Sequence, residues 1–122
     1  MKRYLKKIKS VAERLDWKVS VDECNVNPNS GKLWTSDTID FEKYSPAGED
    51  FCFAAYGADM EAMVSDVEDY ASCFDQDEHV RELLNAKASG FSGVPSATEL
   101  VEDAQEIKNM LQEVDAALRS AA

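Results

Sequence analysis

The apolar residues of this chain change their period at Gly57, and that change limits the fold more than any other feature of the sequence. From Trp17 up to it they recur at every second position. Trp17, Val19 and Val21 alternate with Lys18, Ser20 and Asp22; Ile39 and Phe41 alternate with Asp40 and Glu42; Phe51, Phe53 and Ala55 form a third such run. Successive side chains of a strand point to opposite faces, so each run predicts a strand with one buried face. After Gly57 the spacing is helical. Met60, Met63, Val64, Val67, Ala71 and Phe74 make a stripe over about 59–74 with Asp59 as a candidate N-cap, and Val80, Leu83 and Leu84 mark a second helix from near Asp77 to Ala88. A third helix opens on Ser96 and Glu99, spaced as a capping box, and continues through Leu100, Ala104, Ile107, Leu111, Val114 and Leu118.

The connections carry their own signals. Asn25 to Lys32, with Pro28 and Gly31, predicts a loop, and Gly90 to Pro95 breaks the second helix from the third. Ser45-Pro46-Ala47-Gly48 suits a type I turn, with Pro second and Gly fourth, and joins the last two strands as a hairpin. Ahead of the strands, Tyr4, Leu5, Ile8, Val11, Ala12 and Leu15 lie at helical spacing with lysines mostly on the other side. Such a basic amphipathic helix could lie on a membrane surface. The acidity of the rest of the chain opposes anionic lipid and favours a helix whose stripe joins the core. The expected architecture is α+β, in the order α-β-β-β-α-α-α: a helix over 1–15, a three-stranded antiparallel sheet over 16–57 and helices over 59–120, forming one domain.

At 122 residues the chain is long enough to bury a core without a metal or disulfide staple. No apolar run approaches the roughly 20 residues that cross a bilayer, which predicts a soluble, cytoplasmic protein without membrane association. Cys24, Cys52 and Cys73 are widely spaced and odd in number, as expected of reduced packing thiols. Charge is the informative part of the composition. The net charge is -11, but residues 1–18 carry seven basic residues against Glu13 and Asp16, a net of +5. Between Asp37 and Glu78 thirteen acids face the single base Lys43. Such a surface repels nucleic acid, so direct nucleic-acid binding is not expected, and it attracts basic protein.

Catalytic groups are sparse. His79 is the only histidine, which excludes any dyad or zinc site built on two imidazoles, and it is expected to be an exposed residue near a helix start. A Cys73–His79 pair would have to span a helix boundary. No phosphate-cradling glycine pattern occurs, and Asp75, Asp77 and Glu78 resemble the opening of a calcium loop only until Val80 takes the place of its glycine. The sequence therefore points to no catalytic residue, cofactor or metal site and to a protein that is not an enzyme; a small enzyme ranks third among the readings.

The acids are better ordered than the catalytic groups. At 100° per residue Glu99, Glu102, Glu106 and Glu113 fall within about 60° of one another on a flank of the third helix. They form a ridge of about 21 Å at 1.5 Å per residue. A DNA strand presents a phosphate about every 3.4 Å, so this ridge alone is too sparse to imitate one. A second set lies on the 59–74 helix, where Glu61, Glu68 and Asp69 oppose the stripe and Asp66 flanks it, followed by Asp75, Asp77 and Glu78. The turn adds Tyr44, Glu49 and Asp50, in which an exposed Tyr44 or Phe51 beside two carboxylates could anchor a basic partner. The plain alternative is that these are solvated helix faces and an ordinary hairpin turn.

SPAGEDF at 45–51, FDQDEHV at 74–80 and GVPSATELVEDAQEIKNML at 93–111 resemble segments of small acidic proteins from phages and conjugative elements of gut bacteria, over roughly residues 39–118. The resemblance implies a mobile-element context, in which small acidic proteins act as counter-defence factors of the anti-CRISPR or antirestriction kind. The basic N-terminal helix departs from a uniformly acidic DNA mimic and favours a localised acidic interface. The expected function is a non-enzymatic interaction protein that occupies a basic nucleic-acid-binding surface of a bacterial defence nuclease. The alternative is a self-associating structural or regulatory module of a mobile element, whose basic helix meets an acidic surface; the sequence itself sets no oligomeric state.

Overall fold

The computed structural model describes residues 1–23, 36–88 and 97–122. Cys24, the Asn25 to Lys32 loop, the Gly90 to Pro95 break and the Ser96 half of the capping box lie outside the described residues. The elements are α1 (Arg3–Arg14), β1 (Lys18–Asp22), β2 (Asp37–Tyr44), β3 (Asp50–Gly57), α2 (Met60–Cys73), α3 (Gln76–Ala88) and α4 (Ala97–Ala121). The order and the α+β class are those the periodicity predicts.

The stripe of α1 buries Leu5, Ile8, Val11 and Ala12, so this basic helix is a docked part of the core. Its end is tight: Leu15 N–H donates to the Ala12 carbonyl, and Asp16 takes a positive φ of 69°, a conformation that short polar side chains tolerate. That residue turns the chain directly into β1. A second tether ties the start of α1 to the sheet, where the buried Asp37 carboxylate meets Lys2 Nζ at 3.1 Å and accepts a hydrogen bond from the Tyr4 hydroxyl.

The sheet is antiparallel in the order β1-β2-β3. Its two-residue alternation sends Val19, Ile39, Phe41, Phe51, Phe53 and Ala55 under the helices. The rings interlock there. Phe41 and Phe53 stack at 4.6 Å, Tyr70 of α2 stacks on Phe53 at 4.7 Å, and Trp17 stands edge-on to both phenylalanines. Offset and edge-on pairs each add about 0.5–1.5 kcal/mol beyond area burial, so this group fixes how α2 lies on the hairpin. Asp59 caps α2 by accepting the Ala62 N–H at 2.8 Å, and Met63, Val64, Val67 and Ala71 are buried beneath it. Gly57 lets the strand end against the helix: a Cβ there would sit 2.6 Å from the Met63 backbone nitrogen. α4 packs against α1, α2 and α3, with Ile107, Leu111, Val114 and Leu118 fully buried.

Candidate functional site

The hairpin turn forms as its residue order predicts. Gly48 N–H donates to the Ser45 carbonyl at 2.8 Å, Ser45 N–H donates to the Glu49 carbonyl at 2.8 Å, and Gly48 has a φ of 91°. This is a three-residue loop closed by a left-handed glycine. Its position is set from α4 by Asp103, a buried residue. One carboxylate oxygen accepts the Ser45 hydroxyl at 2.6 Å, and the other accepts the Ala47 N–H at 3.0 Å. The Ser45 oxygen in turn accepts the Glu49 N–H.

This lock brings together two features that the sequence presents separately. Tyr44, Ser45 and Pro46 of the turn region border a hollow of about 340 Å³ with Glu106, Asn109, Met110 and Glu113 of α4. Half of the α4 ridge therefore stands beside the exposed Tyr44. All four ridge residues, Glu99, Glu102, Glu106 and Glu113, are exposed. Lys43 also reaches this hollow, but its ammonium is engaged, donating to the Leu15 carbonyl at 2.7 Å.

Glu61, Glu68 and Asp69 are exposed on α2, as predicted. Asp66 is half-buried and does structural work: it accepts the Tyr56 N–H on β3 at 2.8 Å. Asp77 and Glu78 are exposed, whereas Asp75 caps α3 by accepting the Glu78 N–H at 3.1 Å. That geometry makes the acidic run a helix start.

Three expectations need correction. His79 is not an exposed histidine. Its side chain is 15% exposed, its Nε2 lies 2.9–3.0 Å from the Glu49 oxygens, and its ring packs against Phe51 and Phe74. The hydrogen bond to Glu49 raises its pKa, opposed by burial and aided by the charges of Glu49, Glu82 and Asp103. Glu49 is thus committed to His79 through Nε2, and Cys73 borders the same hollow. Secondly, Phe51 is buried on the inner face of β3, which leaves Tyr44 as the exposed aromatic of the turn; Asp50 stays exposed. Thirdly, Cys52 and Cys73 are free but exposed, so they are not packing thiols. Cys52 occupies a solvent-facing position of β3, and Cys73 ends α2 away from its stripe.

Asp103 lies outside the acidic ridges, yet an acid three positions after Leu100, on the apolar side of α4, signals a buried carboxylate with a fixed partner. The outer face of the sheet is a second feature that no single segment of the sequence displays. It holds Asp40, Cys52 and Tyr56, with Glu42 half-buried among them. Glu42, Asp50 and Cys52 there hold their ligand atoms within 4.8 Å of one another. The Cys52 thiol is 3.7 Å from both carboxylates, and partial desolvation, then the negative charges of Asp50 and Glu42, push its pKa up.

Comparison of the chain with protein-family models, with curated proteins and with solved structures finds no match. Among the described residues, no helix is long and apolar enough to cross a membrane.

Proposed function

We propose that this chain is a non-enzymatic, acidic interaction protein that occupies a basic, nucleic-acid-binding surface on another protein. The observation that carries the reading is the hollow where Glu106 and Glu113 of α4 flank the exposed Tyr44, held in register by the Ser45–Asp103 bond. Aromatic side chains anchor interfaces, and surrounding carboxylates steer a basic partner to them. The exposed acids Glu61, Glu68, Asp69, Asp77 and Glu78 extend the negative field along the helices. Counter-defence against a bacterial nuclease is the context implied by the mobile-element resemblance. The test is a panel of restriction and CRISPR nucleases assayed for cleavage with and without the protein, over a salt titration. Inhibition of a member of the panel that fades with rising salt supports the reading; no inhibition anywhere in the panel removes the nuclease as partner.

A further inference from the structure

The helices cover one side of the sheet; among the described residues no element packs on the other. Cross-strand register places Ser20, Asp40 and Ala54 in one row of this outer face and Lys18, Glu42 and Cys52 in the next. Tyr44 pairs with Asp50 at one end, and Tyr56 pairs with Thr38 at the other. The small residues in the middle leave a shallow hollow of about 340 Å³ bordered by Asp40, Glu42 and Cys52. Among the described residues, four carboxylates, Asp22, Asp40, Glu42 and Asp50, belong to this face against the single cation Lys18. The two tyrosines are the most exposed aromatics among the described residues, at 63% and 56%. From Thr38 to Tyr44 is six residues, so the rings stand roughly 20 Å apart at about 3.3 Å per residue.

Two observations narrow the occupant. Asp66 takes the Tyr56 N–H at the edge of β3, which opposes strand addition at that point. The exposed cations of α1, Arg3, Lys6 and Lys7, project from the helical side of the core, away from this face. A second copy that laid its α1 here would leave its own sheet uncovered, and repetition of that contact gives an open chain instead of a closed dimer. A foreign cationic segment fits better. Arginine matches both parts of the surface, because a guanidinium bonds carboxylates in a two-pronged fashion and also stacks on aromatic rings.

We infer that the open sheet face is a docking surface for an arginine-bearing segment of a basic partner protein, held by Asp40, Glu42 and Asp50 and stacked on Tyr44 and Tyr56. The inference rests on the proposed reading of the chain as an acidic interaction protein, and it names the part of the partner that the sheet receives.

A ten-residue peptide of alternating Arg and Ala, with its Lys–Ala counterpart, tests it on the intact protein. The arginine peptide binds more tightly than the lysine peptide. Tyr56→Ala and Asp40→Asn each weaken it about three- to tenfold, Tyr56→Phe keeps most of the affinity, and Glu13→Gln on α1, an exposed acid on the helical side, changes it less than about twofold. Bound peptide slows alkylation of Cys52 by iodoacetamide and leaves Cys73 unchanged. A peptide that binds without protecting Cys52 and without responding to Tyr56→Ala or Asp40→Asn overturns the sheet surface while the acidic-interaction reading stands. Equal affinity for the lysine peptide overturns the arginine assignment. Failure of both peptides to bind at low salt overturns the sheet surface, and inhibition in the nuclease panel decides the acidic-interaction reading separately.

Discussion

Ser45 donates its hydroxyl to Asp103 at 2.6 Å across 58 residues of chain, and both residues are buried. A hairpin turn is thereby fastened to the middle of a helix, and Tyr44 is fixed beside Glu106 and Glu113. The carboxylate also holds the Ala47 N–H, so its loss leaves two donors without their partner.

Asp103→Ala should therefore destabilise the fold by about 2–3 kcal/mol, and Ser45→Ala by about 1 kcal/mol, since a buried donor without its acceptor costs more than the bond contributes. The double variant should lose less than the two single losses combined, because the residues share one network. Urea denaturation of the four proteins checks this. Additive losses would show that turn and helix are independent.

The His79–Glu49 pair makes stability depend on pH. The folded-state pKa of His79 is raised, chiefly by its hydrogen bond to Glu49, so folding favours the protonated ring. Its stabilising contribution is fully present below the unfolded value near 6.5 and is lost as pH rises through the raised folded value. The Tm gap between wild type and Glu49→Gln should be largest near about pH 5.5 and shrink by about pH 8.5. Thermal unfolding across that range measures it; a gap that widens with pH contradicts the pairing.

Gly57→Ala tests the contact between strand and helix. The added methyl would meet the Met63 backbone at 2.6 and 2.9 Å, where no flexible side chain can yield. The expected loss is about 1–3 kcal/mol by overpacking. Unchanged stability would mean that α2 slides freely on β3.

Most of the fold could be read from period alone. Alternation located all three strands because one sheet face is apolar, and the stripes of α1, α2 and α4 are the surfaces that cover it. The site was only partly legible. The α4 ridge lies on one exposed helix flank, so local spacing identifies it. Its juxtaposition with Tyr44 depends on a long-range bond that no local pattern encodes. The burial of His79 escapes local pattern for the same reason, since its partner Glu49 and the rings of Phe51 and Phe74 come from separate parts of the chain. The outer sheet face looks in sequence like the ordinary solvent side of each strand, and only the register assembles Asp40, Glu42 and Asp50 with the two tyrosines.

Charge reversal separates steering from solvation. Reversing Glu61, Glu68 and Asp69 to lysine should leave the fold intact, because all three are exposed and such changes usually fall within about 0.5 kcal/mol each. Against a nuclease that the panel identifies as a target, association should slow by more than when Asp22 and Glu23 are reversed, and the difference should shrink with salt. Glu23 meets the N-terminal amine at 3.7 Å, so its reversal also reports on that local tie. Stopped-flow association kinetics at two salt concentrations decide the matter, and equal small effects from both sets would mean that the acidity serves solvation.

Displacement of labelled DNA from a nuclease that the panel identifies as a target is the most direct test of whether the acidic surface takes the place of nucleic acid. Fluorescence anisotropy should show the protein releasing the DNA in full, with a midpoint that rises with DNA concentration and with salt. A ternary complex, in which nuclease holds the DNA and this protein at once, would contradict the account.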